Sequence, residues 1–202
     1  SEVSEYNKLC QEFQNSPHVK VVRTDKNLGY AGGVNYGLEQ AFNAGADYFL
    51  IMNNDTIIDK NAMKELLEVS KRYDDHAIIS GKVYHYDKPD IIQYAGSYFV
   101  DNNILKVTSP CINEKDIGQC EDEKEMDMLD DIFWLIPKNI YQSIGPYPDC
   151  YFLYAELAYY ALQAVKQGFK LILAPKAKLW HKGSLSSGDG IRYAPKANFW
   201  RK

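Results

Sequence analysis

The sequence predicts an α/β fold, a mostly parallel sheet with helices on both faces, from three observations. A β-branched run, Val19 to Thr24, is followed by a glycine cluster at 27–33 and a helical pattern. A nearly continuous apolar run, Asp47 to Asp55, ends abruptly in polar residues, as a central parallel strand does on reaching the carboxyl edge of a sheet. Segments with strand and helix patterns then alternate along the chain.

Each element follows from local chemistry. Tyr6, Leu9, Cys10 and Phe13 share a helical face that stops near Ser16-Pro17, where the proline disfavours further helix. Val19 to Thr24, bounded by Pro17 and the turn-prone Asp25-Lys26-Asn27, reads as a buried strand. Val34, Leu38, Ala41 and Phe42 form the next helix, ended by Gly45. The strand at 47–55 leads into an amphipathic helix, Asp59 to Arg72, with Asp59 as its expected cap and Ala62, Leu66, Leu67 and Val69 on or near one face. Ala77 to Tyr86 and Ile91 to Val100 read as short strands kinked at Gly81 and Gly96, and the polar, acidic stretch Asn113 to Asp127 as a surface loop, the best candidate for disorder. Phe133 to Ile136 is a buried strand, Asn139 to Ile144 a short helix stopped by Gly145-Pro146, and Ala155 to Gln167 a longer helix ended by Gly168. Lys170 to Ala174 is a last strand leading to Lys178-Leu179-Trp180-His181.

The 202 residues fit one domain, with 46% hydrophobic and 25% charged residues and no internal repeat or linker. Lys plus Arg is 23 and Asp plus Glu 27, a net charge of −4 that lacks the positive excess needed to bind a phosphate backbone, so nucleic acid is excluded as a partner. No stretch approaches the roughly 20 apolar residues of a membrane span, and the first residues lack the basic and apolar regions of a secretory signal, so a cytoplasmic chain is expected. Cys10, Cys111, Cys120 and Cys150 have neither a CxxC pair nor zinc-ligand spacing and read as reduced thiols, with a Cys111–Cys120 bridge as the alternative.

Two motifs carry chemistry. Asn27 to Gly37, NLGYAGGVNYG, places Gly29, Gly32 and Gly33 ahead of a helix, where backbone amides can approach a phosphate or a flat ring, or where a tight turn needs small residues. It matches neither the dinucleotide fingerprint nor the P-loop. The apolar strand ending in Asn53-Asn54-Asp55 delivers hard oxygen ligands to a sheet edge, suited to Mg²⁺ or Mn²⁺ shared with substrate phosphates, although Asp55 could instead cap the next segment. His181 follows another strand and could join Asp55 on such an ion or be an ordinary surface imidazole. Trp134 and Tyr154, with Tyr151 and Phe152, could stack on sugar faces or pack in the core.

NLGYAGGVNYG, then LIMNND, YFLYAE and GFKLILAPKAKLWHKGS resemble, in this order, the family-2 glycosyltransferases of GT-A fold, most closely the rhamnosyltransferase-like branch. The resemblance implies one GT-A-like domain over 1–202, with 1–110 as the nucleotide and metal half and 111–202 as the acceptor half. It implies transfer, with inversion, from a nucleoside-diphosphate sugar to a glycan or lipid-linked acceptor in bacterial surface polysaccharide synthesis, with peripheral association at the inner face of the membrane. Gly29, Gly32, Gly33, Asn35 and Asn54 would then line the nucleotide, Asp55 and His181 the cation, and Trp134 and Tyr154 the acceptor. The family ordinarily begins with further strands, so the domain is expected to be N-terminally incomplete. Its acidic pair is matched here by Glu156 and Leu157, and leucine cannot accept a proton. Tyr159 stands at a later Asp, Gln163 at a common Arg and Asp131 at an expected Gly. Glu156 is the remaining candidate base, or a carboxylate that favours its helix dipole. These departures keep a catalytically silent binding module in view; a metal-dependent nucleotidyltransferase or nucleotide-sugar hydrolase, which also ends a strand with acidic metal ligands, is a second rival, disfavoured by the absence of a basic phosphate clamp near the glycine loop.

Overall fold

A computed structural model describes residues 2–101, 103–148 and 156–182. In chain order the elements are α1 (Glu2–Phe13), α2 (Gly29–Asn43), β1 (Tyr48–Met52), β2 (Thr56–Ile58), α3 (Ala62–Arg72), β3 (Ala77–His85), β4 (Ile92–Tyr94), β5 (Tyr98–Val100), β6 (Asn103–Thr108), β7 (Lys124–Glu125), β8 (Phe133–Pro137), α4 (Lys138–Ile144), α5 (Glu156–Lys166) and β9 (Lys170–His181). The main sheet runs β1-β8-β3-β9-β2, with β4 added to β3 and β7 to β9, while β5 and β6 form a separate hairpin.

The two long strands β3 and β9 are the spine. Their first halves carry β8 and β7, and their second halves carry β4 and β2. Between the halves the register breaks: Gly81 faces Ala174 and Lys82 faces Lys178, so Pro175, Lys176 and Ala177 bulge out of β9. Gly81 permits this, because a Cβ there would lie 2.3 Å from the Ala177 carbonyl oxygen and 2.7 Å from the Phe133 ring.

Alternation along the strands builds a core on each face. Ile78, Trp134, Ile136, Leu171 and Leu173 pack against Ala31 and Leu38 of α2, Ile140 of α4 and Tyr160, Ala161 and Ala164 of α5. Their neighbours Ile79, Phe133, Leu135, Ile172 and Ala174 pack against Ala62, Leu66 and Val69 of α3. Helices on both faces are as the sequence predicts. The strand senses differ from the expected mostly parallel sheet: β3–β9 is the parallel pair, and β1–β8, β3–β8, β2–β9, β3–β4 and β7–β9 are antiparallel.

Four local expectations also change. Val19 to Thr24 is not a strand: Val19 is 42% and Val22 38% exposed, and a β-branched run without a ladder partner and burial has nothing to pair with. The glycines lie in the first turns of α2 rather than in a loop. Gly29 starts that helix at φ +73°, and its N–H donates to Asn27 Oδ1 at 2.9 Å. The acidic stretch 113–127 is ordered. Asp116 and Glu121 bind the ammonium of Lys82, a residue 0% exposed on β3, and β7 pairs with β9. Cys111 and Cys120 are disulfide-bonded across this loop, so for this pair the bridge named as the alternative holds rather than the expected reduced thiols, while Cys150 lies outside the described residues. Cys10 is a free thiol.

Candidate active site

The site forms at one edge of the sheet because consecutive elements reverse there. β1 ends at Met52, and β8, running antiparallel, begins beside it: Met52 faces Phe133 and the Asn53 N–H donates to the Ile132 carbonyl at 3.3 Å. The end of β1 and the residues before β8, Asp130 and Asp131, therefore share that edge. Thr56 then faces His181, and the Lys182 N–H donates to the Asp55 carbonyl at 2.9 Å, so the end of β9 arrives at the same place.

Asp55 Oδ1 lies 3.2 Å from His181 Nε2, and both side chains are largely buried, at 15% and 9% exposure. Asn53 Nδ2 is 3.4 Å from the same Nε2, and Gln93 Oε1 of β4 is 3.0 Å from Nδ1. The sequence pointed to Asp55 and His181, and the structure brings them together. Gln93 had no sequence signal: β4 reads only as a short strand.

Behind this pair is a buried carboxylate cluster. Burial, then the charge of Asp130, pushes the Asp131 carboxyl well above the usual carboxylate range, despite a hydrogen bond from Tyr147 Oη at 3.2 Å. Burial also raises Asp130, where the Ile132 N–H and His181 oppose the shift and Glu156 adds to it. Tyr30, in the first turn of α2, sits beside Asp131, its ionisation opposed first by burial and then by that carboxylate. Glu156 is 1% exposed at the start of α5. Its Oε2 is buried without a hydrogen-bond partner among the described residues, as are Tyr30 Oη, Tyr160 Oη and Trp134 Nε1.

The other predicted residues distribute as follows. Asn35 clamps the backbone of Tyr147: its Nδ2 donates to the Tyr147 carbonyl and its Oδ1 accepts the Tyr147 N–H, both at 2.8 Å. Gly32 is packed, since a Cβ would come within 2.6 Å of Leu28 Cβ, while Gly33 faces open space. Asn54 lines a groove of about 410 Å³ with Glu5, Tyr6, Leu9, Val21, Val22 and Arg23. Trp134 is fully buried, 6.3 Å from the Tyr160 ring centroid, as a core residue rather than an exposed stacking platform. Leu157 packs half-buried against the same core. Tyr154 lies outside the described residues.

The donor set fits a hard or borderline divalent cation: a carboxylate oxygen and an imidazole nitrogen converge with an amide beside them. Among the described residues no group of three or more His, Cys, Asp or Glu side chains could hold such an ion, so the remaining positions would fall to water and substrate oxygens, the usual arrangement for Mg²⁺ with phosphates. No helix of the described residues is long and apolar enough to cross a membrane.

A central sheet flanked by helices, with this edge, defines a GT-A-like domain of the nucleotide-sugar transferase fold. The chain belongs to glycosyl transferase family 2, whose sequence profile it matches over residues 3–145. It superposes on a crystal structure of GalNAc-T7 with UDP, GalNAc and Mn²⁺ at a TM-score of 0.66 and 14% identity, covering 90% of this chain and 34% of that one. The chain thus spans about a third of that protein's length. A UTP-bound UGPase from Acinetobacter baumannii aligns at a TM-score of 0.45 and 16% identity, over 92% of this chain and 64% of that one. No curated protein sequence matches the chain.

Proposed function

We propose that this domain transfers a sugar from a nucleoside-diphosphate donor to a glycan or lipid-linked hydroxyl, with inversion at the anomeric carbon, in the rhamnosyltransferase-like manner of bacterial surface polysaccharide synthesis. The observation that carries this reading is the convergence of Asp55 Oδ1 and His181 Nε2, 3.2 Å apart, at the edge where α2 begins and Asp130 and Asp131 lie. A divalent cation bound there, Mg²⁺ or Mn²⁺, would neutralise charge on the departing diphosphate. Asp55 and His181 would hold it, with Asn53 beside them. Residues 1–110 supply Asp55 and Gln93, and residues 111–202 supply Asp130, Asp131, Glu156 and His181.

Glu156 is the proton acceptor in this scheme. The acceptor oxygen bonds to the anomeric carbon, the bond to the diphosphate oxygen breaks, and the hydroxyl proton passes to Glu156, whose Oε2 is unpartnered among the described residues. Leu157, packed on the core, takes no part. The Cys111–Cys120 bridge weighs against the cytoplasmic, inner-face location expected from the sequence, because such bridges persist in oxidising compartments. The test is release of nucleoside diphosphate from a panel of UDP-, dTDP- and GDP-sugars with glycan acceptors. Glu156→Gln should abolish transfer and leave nucleotide binding intact. Binding without turnover in the wild type would favour a silent binding module, the reading that the core-packed Leu157 supports.

A further inference from the structure

The contacts around His181 give its two nitrogens different roles. An amide oxygen only accepts, so Gln93 Oε1 at 3.0 Å requires a proton on Nδ1. Nε2 lies 3.2 Å from Asp55 Oδ1 and 3.4 Å from Asn53 Nδ2, so it is the nitrogen that faces the carboxylate. With Nδ1 committed to Gln93, Nε2 is the nitrogen left to donate to Asp55 or, once deprotonated, to join it on a cation.

We propose that Gln93 is a positioning residue that holds His181 in the Nδ1–H form and so presents the Nε2 lone pair, beside Asp55, to a divalent cation. The proposal rests on the reading of Asp55 and His181 as cation ligands. Without an acceptor at Nδ1 the proton can move to Nε2, where Nε2–H would donate to Asp55 and close the pair against the ion. Partners behind a metal-binding imidazole act this way in general, and their loss typically weakens metal affinity 10–100-fold.

Gln93 is well placed to be rigid. β4 is paired with β3 at Val83–Tyr94 and Tyr84–Ile92. The loop closed by Cys111 and Cys120 grips the preceding residue on both sides: the Ile92 N–H donates to the Glu114 carbonyl at 2.9 Å, and the Asn113 N–H donates to the Ile92 carbonyl at 2.7 Å. The disulfide loop, β4, Gln93 and His181 form one continuous support running to Asp55.

Two measurements test this. Nitrogen NMR of the wild type loaded with Mg²⁺ should show His181 protonated on Nδ1 and bare on Nε2; a bare Nδ1 overturns the proposal. Free Mn²⁺, read by electron paramagnetic resonance, should rise in Gln93→Leu to match a 10–100-fold loss of affinity, while Gln93→Glu, which keeps the acceptor, retains wild-type affinity within about threefold. Metal-free unfolding of both variants should match the wild type. If Asp55→Ala loses Mn²⁺ and Gln93→Leu does not, the ligand reading stands and the role of Gln93 falls. If the wild type itself binds no Mn²⁺, both fall.

Discussion

Removing the two carboxylates that face Lys82 isolates a charge in the protein interior. The Lys82 ammonium is 0% exposed and donates to Asp116 Oδ2 at 2.7 Å and to Glu121 Oε1; Asp116 also accepts from the Tyr84 hydroxyl and the Gly118 N–H. Burial works against the Asp116 charge, but these donors outweigh it and hold its carboxyl down to about 2. Asp116→Asn/Glu121→Gln keeps the shape and leaves the ammonium uncompensated, a change that costs about 3–5 kcal/mol for a buried pair. For a chain of this size that corresponds to roughly 6–20 °C in Tm. Adding Lys82→Met should restore most of the loss, because well-packed apolar replacements of buried ion pairs are commonly neutral or stabilising. Urea unfolding of the wild type, double and triple variants at pH 7 measures this. A double variant within about 1 kcal/mol of wild type, or a triple variant less stable than the double, refutes the reasoning. The sign in acid follows: a carboxyl lowered in the fold contributes stability that is complete above about pH 4 and is lost as pH falls towards 2.

Three further outcomes are expected. Gly81→Ala should destabilise by about 1–3 kcal/mol in chemical denaturation, since its Cβ would meet backbone and the Phe133 ring, whereas Gly33→Ala, inside α2 and facing open space, should stabilise by about 0.5–1 kcal/mol; equal effects would contradict the packing. Asp131 is raised by burial, so the fold holds a proton that the unfolded chain releases, and this group's contribution to stability should fall as pH rises above about 4; Asp131→Asn should remove that decline, and an unchanged pH profile would contradict it. Peptide mapping should recover Cys111 linked to Cys120, and reduction should cost about 2–3 kcal/mol for a loop of this length; recovery of both as free thiols would contradict the bridge.

Long periodic segments were legible in the sequence. The strand at 133–136 and the strand leading to His181 form, and the helix expected over 59–72 forms over 62–72, with Asn61 rather than Asp59 at its N-cap; alternation along them explains both cores. Asp55 and His181 were legible because each ends an apolar run, which is where a strand meets solvent. Asp130 was not. Under the expected parallel sheet, residues before a strand fall at the edge opposite those after one; because β8 runs antiparallel to β1, Asp130 and Asp131 join Asn53 instead. Gln93 depends on the pairing of a three-residue strand, and a strand so short leaves no period to read. Val19 to Thr24 shows the converse, a local preference for strand that burial and pairing did not support.

The central claim is that Asp55 anchors a cation-dependent nucleotide site. Thermal unfolding of the wild type and Asp55→Ala, with and without Mn²⁺, across UDP, dTDP and GDP, tests it most directly. A ligand at 100 times its Kd adds about 2.7 kcal/mol, or roughly 5–11 °C here. The account predicts such a rise for at least one nucleotide, only with Mn²⁺ and only with Asp55 present. No rise for any nucleotide, or the same rise in Asp55→Ala, would contradict it.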